Sequence, residues 1–442
     1  MIPGGWQKFA GARVLLLQGP MGPFFRRLAR ALLQAGAASV HKVNFNGGDQ
    51  FFYARGAIRY RGTMEAWPSA LSRLMSELQI DTVFLFGDCR EIHRPVQAIA
   101  RERGAEVWVF EEGYVRPDFV TLERSGVNNH SPAPRDPAFY NALPDMELPV
   151  EKPVGNTFWY AACWATFYYT ASILMRPFYR HYRHHRPLGV SELLPWLRSP
   201  VRKLRYRMRE RRYGDFLCGV EAGRFYLVPL QVGTDFQVRV HSDFDSVSHF
   251  VERVVASFAR HAPTDHYLVL KHHPMDRGYS DYSVLIRALA ERYGVQGRLH
   301  YIHDQHLPTL LDHASGVVLI NSTVGLSAMN HGLPVAVLGD ASYALPGMSY
   351  QGGLDSFWSD ALDFRMDKDL YRRYRNYLIR HTQLNGDFFR NGVFEWKRMR
   401  TMDVMRRRAA VAPSQSTGTV GAKKQEATKR ESAKHPPLDA RA

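Results

Sequence analysis

The amino-acid sequence predicts an α/β fold made of two Rossmann-like, doubly wound domains. Short apolar runs alternate with helical patterns in the first part of the chain, lapse after about residue 126 and resume near residue 220. Buried strands separated by helices form parallel sheets. The chain of 442 residues is also long enough for two domains of roughly 200 residues each.

The first predicted domain covers residues 1–150. Its opening apolar run ends at the turn Gln18-Gly19-Pro20, and a segment with apolar residues at helical spacing follows. The same alternation then recurs along the chain. The predicted elements are strand 13–17, helix 24–35, strand 39–45, helix 67–78, strand 82–86, helix 94–103 and strand 106–110.

The second predicted domain covers residues 220–400. Two doubly wound domains facing each other share a crevice at the carboxyl ends of their strands, where open α/β sheets bind ligands. This organisation predicts a GT-B-like, two-lobed architecture. The predicted elements are strand 224–230, helix 247–260, strand 267–270, helix 282–293, strand 317–320, a helix that begins after it, and strand 334–338.

The predicted connector, residues 151–219, contains an aromatic segment without charges, Phe158 to Met175, that is followed by arginines. Three interpretations are open. A membrane span is marginal because the segment is short and diluted by polar residues. An interfacial helix with a basic flank on anionic lipid is favoured by the aromatic content. A buried interdomain helix is the third.

The chain ends and the cysteines indicate a cytoplasmic protein. Residues 412–442 lack periodic apolar positions, which predicts a disordered tail. Cys89, Cys163 and Cys218 are far apart and odd in number, so neither a disulfide framework nor a cysteine-based zinc site is expected. The N-terminus lacks the pattern of a secretory signal.

The charge balance points to an anionic partner. Lys and Arg number 58 against 42 Asp and Glu, a formal net charge of +16. Such an excess attracts nucleic acid, anionic lipid or acidic sugar nucleotides. No nucleic-acid motif accompanies the basic run 198–212, and charge runs are usually solvated faces, so nucleic acid is not expected as a partner.

Two adjacent carboxylates follow the predicted strand 106–110. Glu111 and Glu112 precede Gly113, which allows the chain to turn closely past a ligand. A neighbouring carboxylate raises one pKa, so one group can hold a proton while the other is ionised. The pair is therefore a candidate acid–base site, although Glu residues are also common in loops.

A second candidate follows the strand 267–270. Lys271, His272, His273 and Pro274 place a cation and imidazoles at the edge of the second sheet, where a phosphate is the expected partner. The alternatives are a structural histidine held by the turn before Pro274 and a metal site that includes His272. After strand 317–320, Asn321, Ser322 and Thr323 offer hydroxyls and backbone N–H groups to a phosphate, or else form an ordinary helix cap.

Two further loops carry candidate residues. Gln231, Asp235 and Gln237 follow the strand 224–230; Asp235 is a candidate nucleophile toward an anomeric carbon, and the alternative is a turn-forming aspartate. After strand 82–86 come three basic residues that could meet an anionic acceptor or lie on a solvated surface. They are Arg90, His93 and Arg94.

Taken together, these motifs resemble capsule polysaccharide biosynthesis and export proteins of the KpsS/LipB type over about residues 11–400. The resemblance is specific because several motifs occur in order, each at a strand end. The motifs are Gln18-Gly19-Pro20-Met21-Gly22-Pro23-Phe24-Phe25, Asn44-Phe45-Asn46-Gly47-Gly48-Asp49, Phe86-Gly87-Asp88, His93-Arg94, Glu111-Glu112-Gly113-Tyr114-Val115-Arg116-Pro117 and Lys271-His272-His273-Pro274.

The resemblance implies a β-Kdo transferase that moves Kdo from CMP-β-Kdo to a phosphatidylglycerol-type lipid and so starts the capsule linker. It implies a peripheral location on the inner membrane and contacts with the capsule export and polymerisation machinery. Retention of anomeric configuration in related transferases suggests a double displacement with Asp235 as nucleophile. Gly19 is expected to contact substrate.

The motifs are also similar to those of bacterial sialyltransferases. By that resemblance Glu111-Glu112-Gly113 supplies the acid–base carboxylate, and His273-Pro274 and Ser322-Thr323 meet the CMP phosphate. This chain has Ser-Thr where that pattern has paired serines, and the resemblance does not decide between the two glutamates. No Asp-x-Asp element stands at a strand end, so we expect metal-independent transfer without a cofactor.

Other functions are compatible with the same motifs. A non-catalytic capsule assembly or export factor would keep the fold, but intact Glu111, Asp235 and His273 argue against a degenerate site. An extending transferase for Kdo or a sialic-acid-type sugar would use the same chemistry on a different acceptor.

Overall fold

The computed structural model describes residues 5–149, 151–183, 193–233, 242–390 and 392–393. Residues 1–400 form one compact unit, and every element described below belongs to it. The predicted tail, residues 412–442, lies outside the described residues. The α/β class is confirmed, because two mainly parallel sheets form with helices between their strands.

The first sheet has seven strands in the order β12-β6-β5-β4-β1-β2-β3. Strands β1 to β5 run parallel, whereas β6 pairs antiparallel with β5 and β12 pairs antiparallel with β6. The strands are β1 Arg13–Leu16, β2 Ser39–Asn44, β3 Ala57–Arg59, β4 Thr82–Phe86, β5 Glu106–Glu112, β6 Phe119–Arg124 and β12 Gln383–Asn385.

The second sheet has five parallel strands in the order β11-β10-β7-β8-β9. All strand pairs in it are parallel, as expected for strands joined by helical crossovers. The strands are β7 Phe225–Pro229, β8 Tyr267–Lys271, β9 Leu299–Ile302, β10 Gly316–Leu319 and β11 Val335–Val337.

Helices connect most of these strands. Short helical turns at Gly5–Phe9, Asn128–His130, Arg176–Tyr179, Tyr213–Asp215, Phe216–Val220 and Pro274–Asp276 add to them. The helices are α1 Phe24–Gln34, α2 Gly47–Phe52, α3 Trp67–Glu77, α4 Val96–Glu102, α5 Pro137–Asn141, α6 Phe158–Leu174, α7 Leu193–Arg209, α8 Val247–His261, α9 Ser283–Tyr293, α10 Leu307–Leu311, α11 Val324–Asn330, α12 Leu354–Asp360 and α13 Lys368–His381.

Both sheets are covered on both faces. In β1, Leu16 packs into one hydrophobic cluster and Leu15 into another, because successive strand side chains point to opposite faces. Leu227 and Val228 of β7 divide between two clusters in the same way. This confirms the two Rossmann-like, doubly wound sheets, the GT-B-like fold class that the alternation predicts.

The structure extends β5 beyond its predicted end at Phe110. Glu111 and Glu112 pair with Thr121 and Val120 of β6 and are therefore the last residues of a strand. Short strands such as β12 have no long apolar run and were not predicted. β12 lies within the predicted second domain, yet it pairs with β6 of the first sheet. The domain boundaries themselves stay a prediction.

The connector is largely helical. α6 corresponds to the aromatic segment, and α7 contains most of the basic run. Among the described residues, no helix is both long enough and apolar enough to cross a bilayer.

Candidate active site

The carboxyl edge of the first sheet is lined by polar groups on neighbouring strands. The Phe86 amide donates to the Gln18 carbonyl, and the Gly87 amide donates to the Phe110 carbonyl. These bonds place the ends of β1, β4 and β5 side by side. Gln18, Gly87 and Glu111 therefore lie along one edge, as expected for parallel strands.

Glu111 and Glu112 face different surroundings. Consecutive strand residues point to opposite faces of a sheet. Burial raises the pKa of Glu111 to about 7; the Glu112 amide and Arg90 oppose the rise, whereas Glu112 and Asp88 add to it. Burial also raises the pKa of Glu112, opposed by Arg116. The pKa of Glu111 therefore lies near neutral pH.

The turn after the pair has no room for a side chain. A Cβ on Gly113 would lie 2.1 Å from the carbonyl oxygen of Phe119. Glycine is therefore required for β5 to return as β6 at this point.

Of the three basic residues after β4, Arg90 and His93 point inward and Arg94 is exposed. Arg90 Nη1 donates to Gln18 Oε1 at 2.9 Å. His93 Nδ1 lies 2.6 Å from the Gly87 carbonyl, so the neutral ring carries its proton there. Burial lowers the pKa of His93 to about 3, and its buried Nε2 has no partner among the described residues. This geometry makes His93 an acceptor.

His273, which follows β8 of the second sheet, presents a hydrogen-bond donor where His93 presents an acceptor. Its Nδ1 accepts from the Met275 amide at 3.2 Å and caps the turn that begins at Pro274. In the neutral ring the proton therefore sits on Nε2, which becomes a donor. Burial lowers the pKa of His273 to about 4, so the ring is neutral at physiological pH. A neutral donor beside a phosphate oxygen suits a leaving nucleotide.

Lys271 and His272 support this turn. Lys271 Nζ is buried and donates to the His303 carbonyl at 3.3 Å, and burial lowers its pKa. His272 Nδ1 lies 2.6 Å from the Tyr301 hydroxyl. Both side chains brace the turn from β8 against the end of β9.

The ends of β7 and β10 are joined by their side chains. Gln231 Nε2 donates to Asn321 Oδ1 at 3.0 Å. Ser322 Oγ accepts from the Val324 amide at 3.3 Å, whereas the Thr323 hydroxyl makes no cap bond to α11.

Arg116 acts electrostatically on candidate residues of both sheets. Its Nε donates to the Gly113 carbonyl at 3.2 Å. Its charge opposes the raised pKa of Glu112 and contributes to the lowered pKa of His273. Arg116 therefore has an electrostatic effect on both the Glu112 carboxyl and the His273 ring.

The capsule polysaccharide biosynthesis protein family matches residues 81–389, which include both glutamates and His273. The chain belongs to this family.

Relatives extend the match over most of the chain. It is 41% identical over 394 residues to the capsule polysaccharide export protein KpsS of Escherichia coli, covering 86% of this chain and 97% of that protein. It is also 41% identical over 394 residues to the capsule polysaccharide modification protein LipB of Neisseria meningitidis serogroup B, covering 87% and 93%. The predicted KpsS/LipB resemblance is confirmed.

One solved structure is similar at lower identity. The structure is Thermosulfurimonas dismutans KpsC, beta Kdo 2,7 transferase, which is 14% identical with a TM-score of 0.38 and covers 82% of this chain and 89% of that chain.

The remaining predicted site residues of this capsule polysaccharide biosynthesis protein are Asp235, Gln237 and Gly19. Asp235 and Gln237 lie outside the described residues, so their roles stay predictions. Gly19 lines a small cavity with Lys42, Asp49 and Tyr168, on the β1–β2 side of the edge.

Sequence reasoning missed Arg116, Gln18 and a cluster at His130. Asp88, Cys89 and His130 place one ligand atom each within 4.8 Å of one another. The 3.0 Å ion pair between Asp88 and His130 accounts for much of this closeness, and burial raises the pKa of Cys89, which disfavours a thiolate ligand. Metal independence of this family member stays a prediction.

Proposed function

We propose that the protein is a glycosyltransferase that moves Kdo from CMP-β-Kdo to a phosphatidylglycerol-type lipid and so starts the linker of the capsule polysaccharide. The observation that carries the proposal is the placement of Glu111 at the carboxyl end of β5 and of His273, whose Nδ1 accepts from the Met275 amide, directly after β8. Membership of a capsule biosynthesis family supports the pathway.

The donor side is assigned to the second sheet. His273 Nε2 donates to the phosphate of CMP as the anomeric C–O bond breaks, which stabilises the leaving nucleotide. Ser322 and Thr323 supply further hydroxyls, and the Gln231–Asn321 pair holds the adjoining strand ends together. CMP has one phosphate, so a divalent ion is not required.

The acceptor side is assigned to the first sheet. Glu111 takes the proton from the acceptor hydroxyl while that oxygen bonds to the anomeric carbon, because a carboxyl with a pKa of about 7 is half ionised at neutral pH. Asp235 is assigned as the nucleophile of a double displacement with retention: its carboxylate bonds to the anomeric carbon as the C–O bond to CMP breaks, and that new bond breaks when the acceptor oxygen attacks. Asp235→Ala should abolish transfer but keep CMP binding.

The acceptor is reached at the cytoplasmic face of the inner membrane. α6 exposes apolar and aromatic side chains, with Trp159 at 76% and Leu174 at 72% exposure, and Arg176 and Arg180 follow it. Aromatic side chains beside cations suit an anionic bilayer interface. Contacts with the export and polymerisation machinery belong to the same proposal.

Purified protein incubated with CMP-Kdo, generated in the same tube, and a fluorescent lyso-phosphatidylglycerol provides the test. Mass spectrometry should find one added Kdo, and addition of EDTA should not reduce the yield. Several added residues would indicate an extending enzyme. No product despite measurable CMP binding would overturn the proposed acceptor, and a non-catalytic assembly factor would then be favoured.

A further inference from the structure

Gln18 occupies a buried position between α6 and the candidate acid–base site. Its side chain is only 1% exposed. Its Nε2 donates to the hydroxyls of Tyr182 at 2.9 Å and Tyr168 at 3.2 Å, and lies 3.3 Å from Asp49 Oδ2. Its Oε1 accepts from Arg90 Nη1 at 2.9 Å and also lies 3.2 Å from the Tyr182 hydroxyl. One amide therefore joins the α6 segment to Arg90.

The charge of Arg90 fixes which way this amide points. A guanidinium has donors only, so it requires the amide oxygen, and the amide nitrogen must then face the acceptors on the other side. The Tyr168 hydroxyl, which donates to Asp49 Oδ1 at 3.1 Å, is one such acceptor. A flipped amide would bring two donors together, so the Gln18 orientation follows from the network around it.

Arg90 lies beside Glu111 across Gly87. A Cβ on Gly87 would be 3.5 Å from Glu111 Oε2 and 3.8 Å from Arg90 Nε, so both side chains flank the same glycine. The guanidinium also lies over the Phe86 ring, 5.0 Å from its centroid. The Phe86 ring packs against one face of the guanidinium, and Gln18 accepts a hydrogen bond from its Nη1.

The α6 segment is itself firmly docked at this edge. Gly47 and Gly48 allow α2 to approach it so closely that a Cβ on either would lie within 2.5 Å of Ala171 O or Tyr168 Cδ2. The Gly48 amide donates to Ser172 Oγ at 3.1 Å, and Asn46 Nδ2 donates to the Tyr168 hydroxyl at 2.7 Å. Tyr168, one of the two tyrosines that contact Gln18, is thus fixed relative to the sheet.

We propose that Gln18 is a positioning residue that, held by Tyr168 and Tyr182, fixes Arg90 beside Glu111 and makes the aromatic connector part of the acid–base centre. Its catalytic consequence rests on the proposed transferase function. The placement of Arg90 beside Glu111 does not depend on that function, because the effect of a cation on a neighbouring carboxyl can be measured without substrate.

The charges around Glu111 define the measurable consequence. Burial, Glu112 and Asp88 raise the pKa of Glu111, whereas Arg90 and the Glu112 amide lower it. If Arg90 loses its support and moves away, the pKa of Glu111 should rise further. A purely structural role for Gln18 would lower stability without moving that pKa.

The experiment is a carbon-13 NMR titration of the glutamate carboxyls in the full chain without substrate, with the Glu111 signal identified by its loss in Glu111→Gln. Gln18→Met, which keeps the size but removes both hydrogen-bonding groups, should raise the midpoint by about 1 pH unit. Tyr182→Phe should raise it by less. Tyr179→Phe is the matched control, since the Tyr179 hydroxyl is 3.2 Å from Gln50 Oε1 and bonds there instead.

The same substitution made in a variant without Arg90 shows whether Gln18 acts on Glu111 through Arg90 or directly. In Arg90→Gln, Gln18→Met should no longer change the midpoint. An unchanged midpoint in Gln18→Met, or an equal shift with and without Arg90, would overturn the proposal. If Gln18→Met does not fold, equal midpoints in Tyr182→Phe and Tyr179→Phe would do so. If transfer is measurable, kcat should fall at pH 7 with little change in KM for CMP-Kdo.

Discussion

Glu111 and Glu112 are neighbours in the chain, yet the pleat of β5 separates their side chains. Glu111 is surrounded by Asp88, Arg90 and the backbone of Gly87, whereas Glu112 is affected by Arg116. Each carboxyl therefore has its own electrostatic environment, and burial raises the pKa of Glu111 to about 7.

Substitution of each glutamate separates these roles. We expect Glu111→Gln to reduce kcat by about 100-fold or more, as for loss of a general base. In the wild type, kcat should rise with pH through about 7, because the base must be ionised. Glu112→Gln removes a negative neighbour that raises the pKa of Glu111, so the rise should move to lower pH.

The measurement is a pH–rate profile from pH 5 to 9 for all three proteins. Loss of transfer in Glu112→Gln together with near-normal transfer in Glu111→Gln would reverse the assignment.

His273 should bind CMP without titrating in the physiological range. With a pKa of about 4, the ring is neutral from pH 6 to 8, so its contribution to CMP affinity should be constant there. His273→Ala should weaken CMP binding by roughly tenfold to 100-fold, the value of a hydrogen bond to a charged group. Isothermal calorimetry checks this against His249→Ala, a half-exposed histidine on α8. An equal loss in both variants would exclude the assignment.

Gly113 should tolerate no side chain. Gly113→Ala places a Cβ 2.1 Å from a backbone oxygen, so the β5–β6 turn must move, at roughly 1 to 3 kcal/mol of unfolding free energy. Gly297→Ala is the control, because no atom lies within 4 Å of its added Cβ. Urea unfolding of both variants measures the difference, and equal stability would contradict the close contact.

At the scale of elements, α6 presents two distinct faces. Its buried face carries Tyr168 and Ser172, which bond to the α2 region, and its exposed face carries Trp159 and Phe167. The Phe167 ring stacks on the exposed ring of Phe51 at 5.7 Å. An aromatic segment can therefore be anchored to the sheet and still offer an apolar surface to lipid.

This surface makes a membrane prediction. The double substitution Trp159→Ser with Phe178→Ser should weaken partition onto vesicles containing phosphatidylglycerol by about tenfold, since apolar area no longer enters the interface. The control is Leu33→Ser with Val284→Ser, two exposed apolar residues at 51% and 77% exposure on other helices. Flotation measures both. Equal partition of the two double variants, or equal binding to neutral vesicles, would count against a specific face.

At the scale of the whole molecule, the chain returns to its first sheet. β12 pairs with β6, and Phe388 beyond it packs against Phe24 and Phe110 with ring centroids 5.0 and 6.2 Å away. Gln383 Oε1 accepts from the Tyr114 amide at 3.0 Å, directly after the Glu111-Glu112-Gly113 turn. Residues near 385 thus support a site built mostly from residues near 111.

Removal of the Phe388 ring should weaken the whole first sheet. Phe388→Ala should lower the unfolding free energy by about 3 to 5 kcal/mol, because the ring is 1% exposed. Phe178→Ala, at 57% exposure, should change it by less than about 1 kcal/mol. Chemical denaturation measures both values, and similar losses would contradict a core role for the chain's return.

The sequence determined the class of fold, most strands, about half of the helices, and the strand ends at which Glu111 and His273 stand. These features depend on local periodicity and turn residues, which each segment carries by itself. Strands β3 and β12 escaped prediction because each contains polar residues and no continuous apolar run, unlike the equally short, fully apolar β11. The aromatic segment left three interpretations open.

Only the tertiary structure decided that the pKa of Glu111 lies near neutral pH, that Arg116 acts on both sheets, and that Gln18 joins α6 to Arg90. The tyrosines whose hydroxyls bond to Gln18 are 150 and 164 residues away from it in the chain. Tyr114 and Gln383, which also bond to each other, are 269 residues apart. Such contacts are set by how sheets and helices pack. A single sequence holds no local pattern for them, so the chemistry of the site emerges only when the strand ends meet.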